Sequence, residues 1–216
     1  MSISGLDFIR LPSMFSHPNS LAGYLVVVYY LMNHFKSPFW QRLIVFGSIL
    51  FTFSKAALLG LALVILLKVS PLLLIFSSLI LSFVQIFLIK TTSSLQYISD
   101  RLYLLSFVPQ ITVSHPLFGV GMGNFVVALG NFLPGSHLIM ANIQPVHNLL
   151  YLFLSELGFV GLTLLFCYIY NIRHQIITKR ILTLLAIVAI TGCFDHYFWT
   201  LPQNRLILLL ALSLML

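Results

Sequence analysis

The stretch Arg42–Leu67, RLIVFGSILFTFSKAALLGLALVILL, decides how the chain is organised. It is an apolar run of about 26 residues whose one internal charge is Lys55. A bilayer core needs roughly 20 helical residues, so length alone favours one spanning helix. The positive-inside rule favours two short spans, because Lys36 and the basic loop 171–180 then lie on the same side of the membrane. We therefore expect two short spans, broken at Ser54-Lys55.

The composition indicates an integral membrane protein. Hydrophobic residues make up 60% of the 216 residues and charged residues only 7%, whereas a soluble domain carries roughly a quarter charged residues. The net charge is +7, from 11 Lys+Arg against 4 Asp+Glu. These basic residues are scattered between apolar runs and form no stripe interleaved with aromatic residues. We therefore expect membrane lipid as a partner and no nucleic acid.

The apolar runs predict an all-α fold, a polytopic transmembrane helix bundle of about seven membrane segments. We expect a single integral-membrane domain over residues 1–216, with one large extracytoplasmic loop at 90–146. The transmembrane segments are predicted at about 21–33, 40–53, 56–68, 72–89, 147–170, 181–194 and 205–216.

Several basic residues fall on the outer side in this arrangement, where the orientation rule does not account for them. They are Arg10, Lys55, Lys90, Arg101 and Arg205. One interpretation is that they bind an anionic headgroup such as a pyrophosphate, since a guanidinium donates two parallel hydrogen bonds to phosphate oxygens. The other is that they only anchor helix ends at the membrane interface.

A glycine-rich segment, Gly119-Val-Gly121-Met-Gly123, follows His115-Pro116 in the predicted outer loop. It is not a dinucleotide-binding fingerprint, because the third glycine comes one residue early. We interpret it as a tight turn whose bare backbone allows close approach.

His147 stands where a polar loop becomes an apolar helix. Helical spacing places Tyr151 and Ser155 on its face and Glu156 on the opposite face. A histidine with an ordinary pKa near 6.5 suits a general base, and the alternative is an interfacial histidine that only forms hydrogen bonds. No metal is expected, because the histidines in this region are widely spaced and include no pair four residues apart. A further polar group, Asp195-His196-Tyr197, lies near the end of the chain.

These polar stretches together resemble the O-antigen ligase/polymerase family of bacterial membrane glycosyltransferases. The most specific pair is the HPLFGVG-like turn and the downstream HN…ELG helix. The matching stretches are Arg10 to Ala22, Ser54-Lys55-Ala56, Asp100-Arg101, His115 to Gly121, and His147-Asn148 leading into Glu156-Leu157-Gly158. The sequence departs from the family at Lys55, where arginine is usual. It corresponds to the C-terminal half of a typical member, so we expect a truncated fragment.

The resemblance implies transfer of a glycan from an undecaprenyl-pyrophosphate carrier to a hydroxyl group. The donor is lipid-linked, the acceptor is a glycolipid or a glycan, and the reaction needs neither metal nor cofactor. The expected location is the bacterial cytoplasmic (inner) membrane, with the active side extracytoplasmic. Ligase and polymerase share these motifs and are not distinguished.

The same resemblance assigns the site residues. His147 is expected to be catalytic, while Arg10, Arg101 and Lys55 are expected to bind the pyrophosphate. The expected supporting residues are Asn19, Asp100, Gly119, Gly121, Asn148, Tyr151 and Glu156. The alternative function is a non-catalytic protein that binds or transports the lipid carrier. Transporters typically show broken helices with paired ionisable groups at mid-membrane, and here only Glu156 and Lys55 are candidates for such groups.

Overall fold

The structure is a computed structural model that describes residues 2–3, 6–7, 15, 17–62, 70–88, 96–132, 144–176 and 178–216. For 2–3, 6–7, 86–88, 96–100 and 175–176 it describes the backbone alone.

The described chain is helical, apart from two antiparallel strands of two residues each, β1 (Ser2–Ile3) and β2 (Leu6–Asp7). The helices are α1 (Pro18–His34), α2 (Phe39–Phe51), α3 (Lys55–Leu61), α4 (Pro71–Leu88), α5 (Gln96–Ser106), α6 (Val108–Ser114), α7 (Phe125–Gly130), α8 (Leu149–Asn171), α9 (Arg173–Ile176), α10 (Lys179–Gly192), α11 (Tyr197–Thr200) and α12 (Pro202–Ser213).

Local sequence signals account for where the long helices begin. Pro18 occupies the first turn of α1, where its missing N–H costs nothing. Asn148 caps α8, and its Oδ1 accepts hydrogen bonds from the amides of Leu150 at 3.0 Å and Tyr151 at 3.3 Å. Thr178 caps α10 in the same way. The starts of α1 and α8 are therefore fixed one residue after His17 and two residues after His147.

Helix α10 packs against α4, α3 and α1, while α1 also packs against α2 and α12. Buried side chains of α1 and α10, such as Val26 and Ile187, lie in one hydrophobic cluster. A second cluster joins the remainder of these two helices to α11 and α12, and a third joins α5, α6 and α7 to the first part of α8. Leu149, at the start of α8, lies against Gly192 at the end of α10.

Helix α8 is interrupted at Gly158, whose φ of 62° and ψ of −173° are not helical. The backbone groups released by this kink are satisfied by the turn 116–121, which lies within the HPLFGVG segment, residues 115–121. Before the kink, the carbonyl oxygens of Ser155 and Glu156 accept hydrogen bonds from the amides of Val120 and Gly121. After it, the amides of Phe159 and Val160 donate to the carbonyl oxygens of Pro116 and Leu117. All four hydrogen bonds are 2.9–3.0 Å long. The turn and the broken helix therefore depend on each other.

Glycine is required on both sides of this contact. Gly119 and Gly158 both have positive φ, of 65° and 62°. A Cβ on Gly119 would collide with the backbone carbonyl of Glu156, and one on Gly158 would collide with the backbone of Leu117 and Gly119. Backbone atoms cannot rotate away as a side chain can, so no larger residue fits here without moving the chain.

The prediction of a polytopic bundle with about seven membrane segments is wrong, although the helical class agrees. In the part of the chain that the structure describes, only α8 is long and apolar enough to cross a membrane, by length and composition. The run Arg42–Leu67 does break before Lys55, at a turn where Phe53 has a φ of 52°. The described helices on either side of this turn are α2, of 13 residues, and α3, of 7 residues, and each is shorter than the roughly 20 residues that a span requires. Residues 63–69, which follow α3 in this run, lie outside the described part of the chain. The predicted outer loop 90–146 contains α5, α6 and α7.

The contact between turn and kink predicts a large loss of stability for Gly158→Ala. The alanine would combine a left-handed backbone with a backbone collision, so we expect a loss of about 3 kcal/mol or more in the free energy of unfolding. Gly123→Ala is the matched control, because Gly123 also has positive φ (77°) but has nothing within 4 Å of its added Cβ. We expect it to cost about 1 kcal/mol. Chemical denaturation in detergent measures both, and equal losses would contradict the packing argument.

Candidate functional site

Asp195 lies between α10 and α11 and is the centre of a polar group inside an apolar bundle. Its side chain is only 9% exposed. Its Oδ2 accepts a hydrogen bond from Asn19 Nδ2 at 3.1 Å, and its Oδ1 accepts one from the backbone N–H of His196 at 2.9 Å. His147 Nδ1 lies 3.6 Å from Oδ1, and His196 Nε2 lies 4.0 Å from it. We call Asn19, His147, Asp195 and His196 the Asp195 cluster.

The two imidazole rings of the cluster lie against each other, with centroids 5.2 Å apart and planes inclined by 39°. His196 Nδ1 is 2.7 Å from Thr200 Oγ1. The Thr200 hydroxyl also lies 3.3 Å from the carbonyl oxygen of His196. Which of Thr200 Oγ1 and His196 Nδ1 donates in the shorter contact depends on the tautomer of the imidazole. His147 Nδ1 is buried and forms no hydrogen bond within the described residues.

Burial and neighbouring charges set the ionisation of the cluster. Burial lowers the pKa of His196 to about 4; the Asp195 carboxylate opposes this shift, and the positive charges of His147, Arg101 and His17 add to it. Burial alone would raise the pKa of Asp195, but the nearby His147, the charges of both histidines and the Asn19 amide lower it well below its ordinary value. At neutral pH the cluster therefore holds an ionised carboxylate beside a neutral His196.

A second polar network fixes the elements on which the cluster rests. Asn148 is buried, and its Nδ2 donates to Ser82 Oγ at 3.0 Å and to Gln85 Oε1 at 2.8 Å. Gln85 Nε2 donates to the carbonyl oxygen of Cys193 at 2.8 Å, and the Tyr151 hydroxyl donates to the carbonyl oxygen of Ser82 at 2.8 Å. The network joins α4 to the start of α8 and the end of α10. It thereby holds His147 and Asp195 at a fixed separation.

Arg101 is the predicted pyrophosphate ligand that the structure places beside the cluster. Its Nη1 donates to the carbonyl oxygen of Phe194 at 2.7 Å, one residue before Asp195. Lys55 is exposed in the first turn of α3 and forms no hydrogen bond or ion pair to any described residue. Arg10 and the side chain of Asp100 lie outside the described residues.

The predicted supporting residues divide into three places. Asn19 belongs to the Asp195 cluster, and Asn148 and Tyr151 belong to the network beside it. Gly119 and Gly121 contact the α8 kink rather than the cluster. Glu156 is buried; its Oε2 accepts from Trp199 Nε1 at 2.7 Å and its Oε1 from the amide of Phe125 at 3.4 Å. Its contacts hold α7, α8 and α11 together.

Sequence reasoning recognised Asp195-His196 as a polar group and gave it no role. The signal available in the sequence was that Asp195 and His196 stand between two apolar segments. Placing a carboxylate and an imidazole there is energetically costly, and such residues are rarely found there without a function. Spacing along the sequence also gave no reason to group His147 with His196. In the structure, one ligand atom each from His147, Asp195 and His196 lie within 4.8 Å of one another.

No protein-family model matches the chain, and no curated protein or solved structure matches it either. The resemblance to the O-antigen ligase/polymerase family therefore depends on the short stretches quoted above. Function is inferred from those residues and from the contacts they make.

Removing the Asn148 side chain should destabilise the protein. Asn148→Ala removes the donor to Gln85 Oε1 and Ser82 Oγ and uncaps α8, for an expected loss of about 2–4 kcal/mol. Asn124→Ala is the matched control, because Asn124 is an exposed residue at the start of α7 with no side-chain capping hydrogen bond. We expect it to cost less than about 1 kcal/mol. Thermal and denaturant unfolding of both variants measures the difference, and a loss at Asn148 no larger than at Asn124 would contradict the role of the network.

Proposed function

We propose that this chain is a membrane-bound glycosyltransferase of the O-antigen ligase/polymerase type. It transfers a glycan from an undecaprenyl-pyrophosphate carrier to a hydroxyl group of a glycolipid or glycan acceptor, at the extracytoplasmic face of a bacterial cytoplasmic membrane. The observation that carries the proposal is the convergence of His147, Asn19 and Asp195, with Arg101 bound to the residue before Asp195. Three of these four residues are the ones that the resemblance assigns to the site.

His147 acts as the general base in this proposal. With its Nδ1–H facing the Asp195 carboxylate at 3.6 Å, the imidazole has an unprotonated Nε2 that accepts the proton of the acceptor hydroxyl. The hydroxyl oxygen then bonds to the anomeric carbon of the donor sugar. The bond from that carbon to the pyrophosphate oxygen breaks, and the lipid pyrophosphate leaves with the electron pair. Asp195 stabilises the imidazolium that forms.

Asp195 performs this role because its own position is fixed. Asn19 donates to one carboxylate oxygen and the His196 amide to the other. A carboxylate held by two donors cannot rotate away from the histidine it orients. Precise orientation of the base matters because proton transfer requires hydrogen-bond distance to the acceptor.

The leaving pyrophosphate needs charge stabilisation rather than protonation. Arg101 is suited to this by its planar guanidinium, which binds two phosphate oxygens at once. Its contact with the Phe194 carbonyl anchors it beside the cluster. Arg10 and Lys55 remain predicted partners of the same pyrophosphate, with Lys55 supplying charge without the bidentate geometry.

The surface of the protein suits a lipid-linked substrate. Large apolar side chains are exposed on several helices, whereas such patches on a soluble monomer are small. They include Trp40 and Ile44 on α2, Phe76 and Phe83 on α4, Phe166 and Tyr168 on α8, and Leu206 and Leu209 on α12. We propose that these faces contact membrane lipid and the polyprenyl chain of the donor.

One observation favours the alternative of a non-catalytic protein that binds or transports the lipid carrier. Helix α8 is apolar and broken at Gly158, and broken helices are typical of transporters. However, both oxygens of the nearby Glu156 accept hydrogen bonds from Trp199 and Phe125, so this carboxylate is committed to structure. Movement of the carrier without formation of a glycosidic bond, assayed in proteoliposomes, would identify the alternative.

His147→Gln should abolish glycan transfer while the lipid-linked donor still binds. Glutamine forms hydrogen bonds but does not take the proton, and loss of a general base costs about a hundredfold to ten-thousandfold in rate. Asp195→Asn should cost a comparable factor, because it removes the charge that stabilises the imidazolium. The measurements are acceptor glycosylation and donor binding in purified membranes.

The control for these variants is His174→Gln, which changes an exposed histidine of α9. We expect its transfer rate to equal that of the unchanged protein. If His147→Gln keeps more than about a tenth of the rate, against the loss expected of a general base, the assignment is wrong. Loss of donor binding in His147→Gln would place this residue in the pyrophosphate site instead.

Arg101→Lys should impair transfer nearly as much as Arg101→Ala. Lysine keeps the charge but provides neither the bidentate contact with phosphate nor the same reach to the Phe194 carbonyl. Arg180→Lys is the control, since Arg180 is exposed in the first turn of α10. Transfer rate and protein level in the membrane are measured together, and full activity of Arg101→Lys would refute a pyrophosphate role.

A further inference from the structure

Three electron-pair donors meet in the Asp195 cluster. His147 Nδ1 lies 3.6 Å and His196 Nε2 lies 4.0 Å from Asp195 Oδ1. All three atoms lie within 4.8 Å of one another. They come from the segment before α8 and from the link between α10 and α11, and the buried network of Asn148 holds these two segments together.

In one of its two tautomers, His196 has a nitrogen available to a cation. When the Thr200 hydroxyl donates to the His196 carbonyl oxygen, Thr200 Oγ1 accepts the proton of His196 Nδ1 at 2.7 Å. The lone pair of His196 is then on Nε2, which faces the carboxylate. Two electron-rich atoms facing each other are unfavourable unless a proton or a cation lies between them. His147 Nδ1, which is buried without a hydrogen bond, is the third ligand atom when the proton of that ring is on Nε2.

We propose that His147, Asp195 and His196 form a binding site for one divalent transition-metal ion of the zinc class, with a fourth position open to water. Two imidazoles and one carboxylate are a ligand set that zinc accepts, whereas calcium and magnesium prefer oxygen ligands alone. Ligand bonds of about 2.0–2.1 Å in a tetrahedron place the ligand atoms roughly 3.4 Å apart. Movements of about 1 Å or less therefore close the site around the ion.

The residues behind the ligands support the same assignment. Metal-bound imidazoles usually donate their second N–H to a protein acceptor, and ligating carboxylates are hydrogen-bonded as well. His196 has Thr200 in this position, and Asp195 Oδ2 has the Asn19 amide at 3.1 Å. Both partners hold their ligands at the orientation needed for a metal ion.

Metal binding would regulate the proposed reaction, and this part rests on the proposed function. A metal on His147 Nδ1 takes the place of the proton that the base needs there. The proton of the neutral ring is then on Nε2, so that nitrogen no longer accepts one from the acceptor hydroxyl. Zinc should therefore inhibit glycan transfer, and removal of zinc should restore it.

Binding is tested on the full chain, purified in detergent and freed of metal with a chelator. Titration with cobalt(II) should produce the visible absorption bands of a tetrahedral site, saturating at one ion per chain, and zinc should displace them. X-ray absorption of the zinc-loaded, unchanged protein should identify two imidazoles among the ligands. No saturable binding, or zinc without imidazole ligands, would overturn the proposal, and neither result depends on the folding of a variant.

Substitutions locate the site. His196→Gln and Asp195→Asn should abolish the cobalt bands, and Asn19→Ala should weaken binding by about tenfold to a hundredfold. The exposed histidines His115 and His174 supply matched controls, so His115→Gln and His174→Gln should bind cobalt as the unchanged protein does. Undiminished bands in His196→Gln would overturn the proposal, whatever the state of the controls.

Inhibition is tested by measuring transfer with and without one equivalent of zinc. A fall of at least about tenfold, reversed by chelator, is expected from loss of the base. Binding without inhibition would overturn the regulatory part while the metal site stands. Absence of transfer at any zinc concentration would contradict the proposed function, and the cobalt titration would still decide the metal site.

Discussion

The buried carboxylate of Asp195 is the constraint on which the arrangement of the helices depends. An ionised group inside an apolar bundle costs several kcal/mol unless donors replace the water it has lost. Here the donors come from different parts of the chain: the Asn19 amide at the start of α1 and the His196 N–H after α10. Supplying hydrogen-bond donors to this one carboxylate therefore fixes the position of α1 relative to α10. The remaining side of the carboxylate faces His147.

The same requirement shapes the rest of the interior. Asn148, Gln85 and Ser82 are polar side chains between apolar helices, and each is satisfied by another of them or by a backbone group. Hydrogen bonds of this kind contribute little net stability, but leaving one unmade is costly, so they select a single register of α4 against α8. The kink at Gly158 follows the same rule, since the turn 116–121 takes up the backbone groups that the broken helix releases.

Local patterns predicted the features that depend on neighbouring residues. The described parts of the apolar runs are helices, the break falls before Lys55, His147 immediately precedes the cap of α8, and the predicted turn at Gly119 permits close approach. The number of membrane segments was wrong because hydropathy does not reveal where a helix ends. The turn at Phe53, with its positive φ, divides the run into two pieces, and neither of the described helices beside it is long enough to span. Asn19 and Asp195 are 176 residues apart in the sequence, so the spacing of neighbouring residues could not reveal their contact. Grouping histidines by helical spacing could not pair His147 with His196 for the same reason.

Several departures from the rules of local stability lie close together in the molecule. The buried carboxylate, the unpartnered His147 Nδ1 and the polar network of Asn148 lie at the start of α8 and the end of α10. A chain that needed only to fold could replace the cluster with hydrophobic residues at little cost or with a gain in stability. Natural proteins depart from the rules of local stability mainly at functional sites. The energetic cost of the Asp195 cluster is therefore itself an argument that chemistry takes place there. The same cost explains why one set of atoms serves either a proton or a metal ion: both supply the positive charge that a buried carboxylate between two imidazoles lacks.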